Sequence, residues 1–170
     1  NLLLKVTRRL PLKFFLFPGN WMLIEVVPFK GEHLKEFDMR ILDAVSYNAN
    51  QHDEGVLKSF EFEGNNITLI IDGKIVGMGG VILRWRHVAV GWILASPEIL
   101  NYKFTFYKTI YRHFLYLIDT CSLHRIEANV LVQYDRSMAM LEHMGFKIEG
   151  LMRKYDAEGN DYFLYSWIKD

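Results

Sequence analysis

The chain has 170 residues, with 20 lysines and arginines against 20 aspartates and glutamates, so its formal net charge is zero. Apolar residues make up 51% and aromatic residues 15%, which excludes a disordered chain and a collagen or coiled-coil repeat. A zero net charge argues against a nucleic-acid partner, because such proteins carry a basic excess. The single cysteine, Cys121, excludes a disulfide framework and a zinc site built from cysteines.

The first 21 residues differ from the rest in charge. They contain no acidic residue and four basic ones, Lys5, Arg8, Arg9 and Lys13, whereas the following 149 residues carry 16 basic and 20 acidic groups. No apolar run reaches the roughly 20 residues of a membrane span, so we expect no membrane partner. Residues 1–21 are an extension upstream of a start at Met22, an arm that packs on the domain or a partner, or a targeting segment. We expect the domain to occupy residues 22–170.

The first half of the domain combines strand and helix patterns. Apolar residues at helical spacing predict one or two helices over 31–47, followed by a polar loop at 47–55. Asp72-Gly73 between two apolar runs predicts a hairpin, because both turn residues must accept a positive φ. Three glycines in its second strand indicate a bulge or a close backbone approach: Gly77, Gly79 and Gly80. The patterns predict three strands, at 22–29, 67–71 and 74–85.

The second half alternates strands with two helices. A helix is predicted over 102–121 with Asn101 as its N-cap, and a second over about 135–144 with Asp135 as N-cap and Gly145 at C′. The strands are predicted at 87–95, 124–132, 147–155 and 161–168. The element order is therefore β-α-β-β-β-α-β-α-β-β, which is typical of an α+β or mixed α/β sheet.

Residues 122–152 carry the most informative motif, SLHRIEANVLVQYDRSMAMLEHMGFKIEGLM. The segments that matter are Arg125-Ile126-Glu127-Ala128, Arg136-Ser137, Leu141-Glu142, Gly145-Phe146 and Glu149-Gly150. Together they resemble the C-terminal half of the GCN5-related N-acetyltransferases, the GNAT superfamily, and especially its branch that acts on ribosomal-protein N-termini. The element order from Met22 onward resembles that family too. The resemblance implies a mostly antiparallel sheet with a V-shaped split between two parallel strands and helices on both faces.

The resemblance also implies where acetyl-CoA, the cosubstrate, binds. It would lie in the split between strands 87–95 and 125–132, against the backbone of Trp92, Ile93 and Leu94. An open strand edge suits the amide-rich pantetheine arm, because an unpaired peptide group is costly until a ligand satisfies it. A backbone N–H would polarise the acetyl carbonyl, and a neutral amine would attack it directly.

The same resemblance implies a phosphate site at the start of the helix near residue 102, with further cofactor contacts after the next strand. The candidates are Asn101, Tyr102, Lys103, Tyr134 and Ser137. Three departures from the family pattern stand out. No glycine occurs between Gly91 and Gly145, so the glycine-rich phosphate loop is missing from 96–104. The family's asparagine after the fifth strand is Tyr134 here, and the tyrosine often used as general acid is Leu141.

Three residues are candidates for acid–base chemistry: His87, Glu127 and Tyr155. A histidine titrates near neutrality and could accept the amine proton. The plainer interpretations are that His87 is a strand-end histidine and that Glu127 is an exposed or ion-paired sheet residue. The six histidines are scattered without metal-ligand spacing, so no metal is predicted.

Two functions from different classes remain. The first is an acyl-CoA-dependent N-acyltransferase that acts in the cytoplasm on an amine of unknown identity, either a protein N-terminus or a small molecule. The second is a catalytically silent relative with a structural or assembly role. The sequence also resembles a degenerate GNAT-like virion protein of T7-like phages, which would place it in a virion. Under either reading, the N-terminal arm or exposed aromatic side chains along 102–116 could bind a protein partner.

Overall fold

The computed structural model describes residues 12–17, 20–35, 37–40, 43 and 65–169. Over these residues the chain forms one eight-stranded sheet with the strand order β1-β2-β3-β4-β5-β6-β8-β7. The strands in chain order are β1 (Leu12–Phe17), β2 (Asn20–Pro28), β3 (Asn66–Ile71), β4 (Lys74–Trp85), β5 (Val88–Ala95), β6 (Arg125–Leu131), β7 (Lys147–Met152) and β8 (Tyr162–Ile168).

Two α-helices cross over between the central strands. Helix α1 (Lys103–Thr120) connects β5 to β6, and helix α2 (Asp135–His143) connects β6 to β7. Short 3₁₀ helices lie at Gly31–Leu34 and Pro97–Asn101. Within the described chain every strand pair is antiparallel except β5 with β6, which are parallel. The long crossover through α1 is what a parallel pair requires. The predicted mixed sheet with one central parallel pair is confirmed.

The sheet buries apolar side chains on both of its faces. Helix α1 covers one face with a stripe at helical spacing, namely Phe106, Ile110, Phe114, Leu117 and Ile118. A second cluster lies on the opposite face, where Phe29 and Phe37 pack against Met78 and Leu94. Phe104 is 81% exposed, because it lies in the first turn of α1, beyond the edge of the core.

Two helix ends differ from the sequence prediction and one agrees. Asn101 is not the N-cap of α1, because residues Pro97–Asn101 form a 3₁₀ helix and the cap is Tyr102, whose side chain makes no cap hydrogen bond. Asp135 is the first residue of α2 and Tyr134 is its cap. Gly145 follows α2 with a φ of 89°, as predicted for C′.

Strand β1 was not predicted. It pairs antiparallel with β2 from Leu12↔Ile24 to Phe17↔Asn20 and forms one edge of the sheet. The basic and aromatic composition of this segment hid its strand pattern. Residues 1–11, the loop predicted at 47–55 and seven residues of the helical region predicted at 31–47 lie outside the described residues. Within that region, Gly31–Leu34 form a 3₁₀ helix and residues 37–40 are not helical. No helix among the described residues is long and apolar enough to cross a membrane.

Turn and strand glycines fit tight backbone geometry. Asp72 and Gly73 have φ values of 48° and 79°, which confirms the predicted hairpin turn. A Cβ on Gly79 would lie 2.5 Å from the Trp92 carbonyl oxygen, and one on Gly80 would overlap the Asn65 carbonyl oxygen and the Asn66 side chain. The predicted close approach of β4 to its neighbours is therefore confirmed.

We expect Gly80→Ala to lower the free energy of unfolding by about 2 kcal/mol or more, because the new methyl group meets backbone that cannot move aside. Urea unfolding measures the change. Gly150→Ala is the matched control, since a Cβ there meets nothing within 4 Å. Equal stability of the two variants would contradict the close approach.

Candidate active site

The two parallel strands separate part of the way along their length. Strands β5 and β6 pair at Val88↔Arg125, Ala89↔Ile126 and Val90↔Glu127, and the pairing ends there. Beyond that point β5 stays paired with β4 up to Ala95, while β6 stays paired with β8 up to Leu131. Because β5 stays with β4 and β6 stays with β8, a wedge-shaped gap opens between the C-terminal halves of β5 and β6.

Successive peptide groups of β5 face alternate sides. The His87 carbonyl accepts hydrogen bonds from the first residues of the β6 segment, whereas the Ser96 N–H donates to Val76 on the β4 side. The alternation turns the peptide groups of Ile93 and Ala95 toward the gap, and those of Trp92 and Leu94 toward β4. Of the three residues predicted to contact the cosubstrate through their backbone, Ile93 alone directs its N–H and C=O groups into the gap. The side chains of Trp92 and Leu94 pack on the opposite face of the sheet, around Phe29.

A small apolar cavity fills the inner part of the gap. Its volume is about 120 Å³, and residues of β5, β6 and both α-helices line it, among them Gly91, Ile93, Phe114, Ala128 and Met144. Two polar residues, His113 and Asn129, also lie on its wall. A dry cavity with few polar groups suits a short acyl chain on a thioester.

His113 is the buried histidine of this cavity. Its Nε2 lies 3.0 Å from the Asn65 carbonyl oxygen, which can only accept, so Nε2 carries the proton. Burial lowers the pKa of His113 below its ordinary value, partly offset by this hydrogen bond. The imidazole is therefore neutral at pH 7.

A larger cavity of about 440 Å³ lies at the mouth of the gap, where β5 and β6 end. Its walls come from Pro97 and Leu100 after β5, from residues 133–136 after β6, and from Arg40. Arg40 and Arg136 bring two guanidinium groups to the mouth, and two carboxylates balance their charge, Asp135 on the wall and Asp43 paired with Arg40. An opening with two guanidinium groups at the end of an open strand can hold a phosphate group.

Tyr134 forms the floor of this mouth. The Arg40 guanidinium carbon lies 4.8 Å from the centre of its ring. Its hydroxyl is buried and makes no hydrogen bond within the described part of the chain. Burial raises the pKa of Tyr134 well above its ordinary value, and the nearby Asp43 carboxylate adds to the effect.

The other predicted phosphate contacts do not line either cavity. Asn101 ends the 3₁₀ helix, Tyr102 caps α1, and the Lys103 ammonium lies 5.4 Å from the ring of exposed Phe104. The Ser137 N–H donates to the Tyr134 carbonyl inside the first turn of α2. The structure therefore brings Tyr134 to the mouth, and it leaves Asn101, Tyr102, Lys103 and Ser137 beside it.

Glu127 and Tyr155 lie near one another on one face of the sheet. The Glu127 carboxylate receives hydrogen bonds from Arg84 at 3.0 Å and from Arg125 at 2.8 Å, so both its oxygens are occupied. Two residues further along β6, the Asn129 amide donates to the Tyr155 hydroxyl at 2.7 Å. Because an amide NH₂ can only donate, the Tyr155 O–H remains free to donate to another group.

The β7–β8 hairpin that carries Tyr155 is organised by Asp156. This carboxylate accepts hydrogen bonds from the N–H groups of Glu158 and Asn160, from the Asn160 amide, and from the buried Tyr162 hydroxyl. One side chain thus fixes the whole turn, and with it the approach of Tyr155 to Asn129.

His87 lies at the closed end of the gap. It belongs to the turn between β4 and β5, with a φ of 67°, and not to the predicted strand. At about 3.3 Å per residue it lies ~10 Å before the last paired residue of β5. Its ring lies beside that of His124, with centroids 5.9 Å apart and planes tilted by 40°, and its Nδ1 is buried with no hydrogen-bond partner among the described residues. This position removes His87 from the open part of the gap.

Four residues near the gap were not predicted from the sequence: Arg40, Asp43, Asn129 and Arg136. Asn129 could have been found, since it follows Glu127 by two residues and therefore shares its face of β6. Arg136 was part of the matched motif but was not assigned a role. Arg40 and Asp43 lie in a segment whose sequence pattern does not indicate that it contacts the end of β5. Among the described residues no three histidine, cysteine or carboxylate side chains are placed to hold a metal ion.

Several solved structures are similar to this chain along most of their length. A GNAT-family acetyltransferase from Bacillus anthracis superposes with a TM-score of 0.62 at 18% identity, covering 85% of this chain and 94% of that one. The ribosomal-protein-S5-alanine acetyltransferase from Vibrio fischeri gives 0.59 at 16% identity, covering 94% and 97%. A spermidine N-acetyltransferase chimera from Vibrio cholerae and hSSAT gives 0.58 at 16%, covering 85% and 95%.

No protein-family model matches the chain, and a search of curated proteins finds no match. At identities below 20% the similarity to solved structures shows the fold alone. The chain therefore has the GNAT fold, as its sequence motif implied.

An ion-pair network supports the strand face that carries Glu127 and Asn129. Arg125 donates to both oxygens of Glu149, at 2.9 and 2.6 Å, and the Ser166 hydroxyl donates to the same carboxylate at 2.7 Å. The hydrogen bonds from Arg125 and then Ser166 lower the pKa of Glu149 from 4.5 to about 2. The same carboxylates raise the pKa of Arg125.

We expect Glu149→Gln to lower stability at pH 7 and to have a much smaller effect at pH 2. A carboxylate whose folded pKa is depressed stabilises the protein above its unfolded pKa, and this contribution disappears as the pH falls from about 4.5 through about 2. Urea midpoints of both proteins between pH 2 and 7 measure it. A difference between the two proteins that stays constant over this range would contradict the assignment.

Proposed function

We propose that this chain is an acyl-CoA-dependent N-acyltransferase, which moves an acetyl group from acetyl-CoA to an amine. The observation that carries the proposal is the gap between β5 and β6, with the Ile93 peptide group turned into it, an apolar cavity inside and a mouth with two guanidinium groups outside. An open strand edge is costly unless a ligand pairs with it. The fold of known acetyltransferases supports this interpretation.

Each part of acetyl-CoA finds matching chemistry in this arrangement. The pantetheine amides would pair with the free peptide edge at Ile93, and the acetyl group would enter the cavity at Gly91. The phosphates would lie at the mouth, near Arg40 and Arg136. This choice of phosphate site departs from the one implied by the family pattern, because Lys103 does not line the mouth.

The acceptor amine would approach over the face of β6 that carries Asn129 and Tyr155. Its nitrogen bonds to the acetyl carbonyl carbon, the carbon–sulfur bond breaks, and the proton lost by nitrogen ends on the coenzyme A sulfur. On this face the Tyr155 hydroxyl can donate its proton to the leaving sulfur, because it only accepts a hydrogen bond from Asn129. Glu127 is the weaker candidate for a base, because two arginines hold its oxygens.

The acceptor is a primary amine whose identity the gap does not define. Solved structures with the same fold include an enzyme named for the N-terminal alanine of a ribosomal protein and one named for spermidine. These two acceptors define the probes for this chain: a short peptide with an N-terminal alanine, and spermidine.

A structural role without catalysis is the second candidate function. The loss of every glycine between Gly91 and Gly145 and the occupied carboxylate of Glu127 favour it. In that case the chain would be an assembly protein, such as a phage virion component, and would not bind acetyl-CoA.

Acetyl-CoA is expected to stabilise the folded protein. A ligand that binds only the folded state adds about 2.7 kcal/mol at 100 times its Kd. Thermal unfolding with increasing acetyl-CoA, together with calorimetric titration, measures the effect, and acetate alone is the control. No shift in Tm and no heat at millimolar acetyl-CoA would support the assembly role instead.

Asn129→Asp and Tyr155→Phe should each lower kcat by about tenfold or more while the Kd for acetyl-CoA stays unchanged. The aspartate keeps a hydrogen bond to Tyr155 but reverses its direction, so the hydroxyl proton is no longer available to the substrate. Turnover with the two amine probes is measured by thiol release. Wild-type kcat in Asn129→Asp at unchanged Tm would show that the pair has a structural role only.

A further inference from the structure

The last peptide group of β5 that faces the gap is already occupied by the chain itself. The Ala95 N–H donates to the Asp43 carboxylate at 2.9 Å, and the Ala95 carbonyl accepts from the Arg40 N–H at 3.0 Å. Residues 40 and 43 therefore bind Ala95 in the way a ligand along the open edge would. The cosubstrate can reach the Ile93 peptide group without displacing anything, but not the Ala95 group.

Asp43 also neutralises Arg40. The Arg40 guanidinium donates to both carboxylate oxygens, at 2.8 and 3.2 Å, in a paired geometry that carboxylates and phosphates share. Asp43 is only 4% exposed, so this pair lies largely out of water. One of the two cations at the mouth of the gap is thus bound to an internal anion.

A hydroxyl group also lies beside this pair. Tyr134 Oη, in the ring beneath Arg40, is buried and makes no hydrogen bond within the described part of the chain, and burial and the nearby Asp43 carboxylate raise its pKa. Buried hydroxyls normally have partners. The corner thus presents a guanidinium, a peptide N–H and a hydroxyl to one carboxylate, and the same kinds of donor bind a phosphate.

We propose that Asp43 is an internal counter-anion that a phosphate group of the cosubstrate displaces from Arg40. The exchange rests on the proposed function, and it adds a selectivity that the gap alone does not provide. A carrier with a diphosphate replaces Asp43 and pairs with Arg40. A carrier that ends at the pantetheine arm leaves Asp43 paired with Arg40 and gains no binding affinity from the residues at the mouth.

The test compares two probes on two matched variants. Acetyl-CoA carries the phosphates, and S-acetylpantetheine lacks them. Asp43→Asn keeps an oxygen for the Ala95 N–H but removes the charge, whereas Asp38→Asn removes the same charge from an exposed residue of the same segment. Asp43→Asn should lower the Kd for acetyl-CoA about fivefold, which is the effect of removing one partly screened charge, and it should leave the Kd for S-acetylpantetheine unchanged. Asp38→Asn should change neither Kd. Calorimetric titration measures all of them.

Arg40→Gln should change the Kd in the opposite direction, and it keeps the proposal testable if Asp43→Asn does not fold. It should raise the Kd for acetyl-CoA about tenfold and change the Kd for S-acetylpantetheine little. Equal acetyl-CoA affinity in wild type and Asp43→Asn, or equal loss of both probes in Arg40→Gln, would overturn the exchange while leaving the proposed function intact. If neither probe binds the wild-type protein, the proposed function fails, and the exchange fails with it.

Discussion

Every peptide group in a sheet must find a partner, and the separation of β5 from β6 leaves some of them without a strand to pair with. The rest of the site follows from this constraint. Strand β5 stays paired with β4 up to Ala95, with Gly79 allowing a close approach to the Trp92 carbonyl, and β6 stays with β8 through seven paired positions. The gap between them is therefore a fixed property of two well-paired half-sheets, and not an opening that a ligand has to create.

The chain satisfies part of this open edge with its own residues, which distinguishes it from a simple open cleft. Asp43 and Arg40 occupy Ala95 from the outside, while α1 and α2 close the inner part with apolar side chains. What stays available is a short stretch around Ile93. The described chain thus keeps a short open strand edge although no glycine follows β5 before Gly145.

The sequence predicted what local chemistry determines. Asp72-Gly73 and Gly145 were assigned correctly, because a positive φ leaves few residue choices, and the helix predicted over 102–121 is observed at Lys103–Thr120. The motif at 122–152 gave the fold. The structure joins Tyr155 to Asn129 by a hydrogen bond, and the catalytic role of Tyr155 stays a prediction.

What the sequence did not predict depends on contacts between distant segments. Strand β1 is held by pairing with β2, which no local pattern encodes. Asp43 meets Ala95 across 52 positions of sequence, and nothing in either residue indicates the other. His87 was misplaced because a turn residue with positive φ was read as the first residue of a strand.

The self-contained turn around Asp156 has a consequence for how acceptor choice could change. This hairpin is closed by its own hydrogen bonds and is joined to β6 through the hydrogen bond of Tyr155 to Asn129, so it can be exchanged as one unit. The side chains of Ala157 and Glu158 can vary in shape and charge without removing these hydrogen bonds, whereas the φ of 79° at Gly159 favours glycine. Grafting hairpins from other proteins of this fold onto the same two strands is therefore a natural route to new amine selectivity.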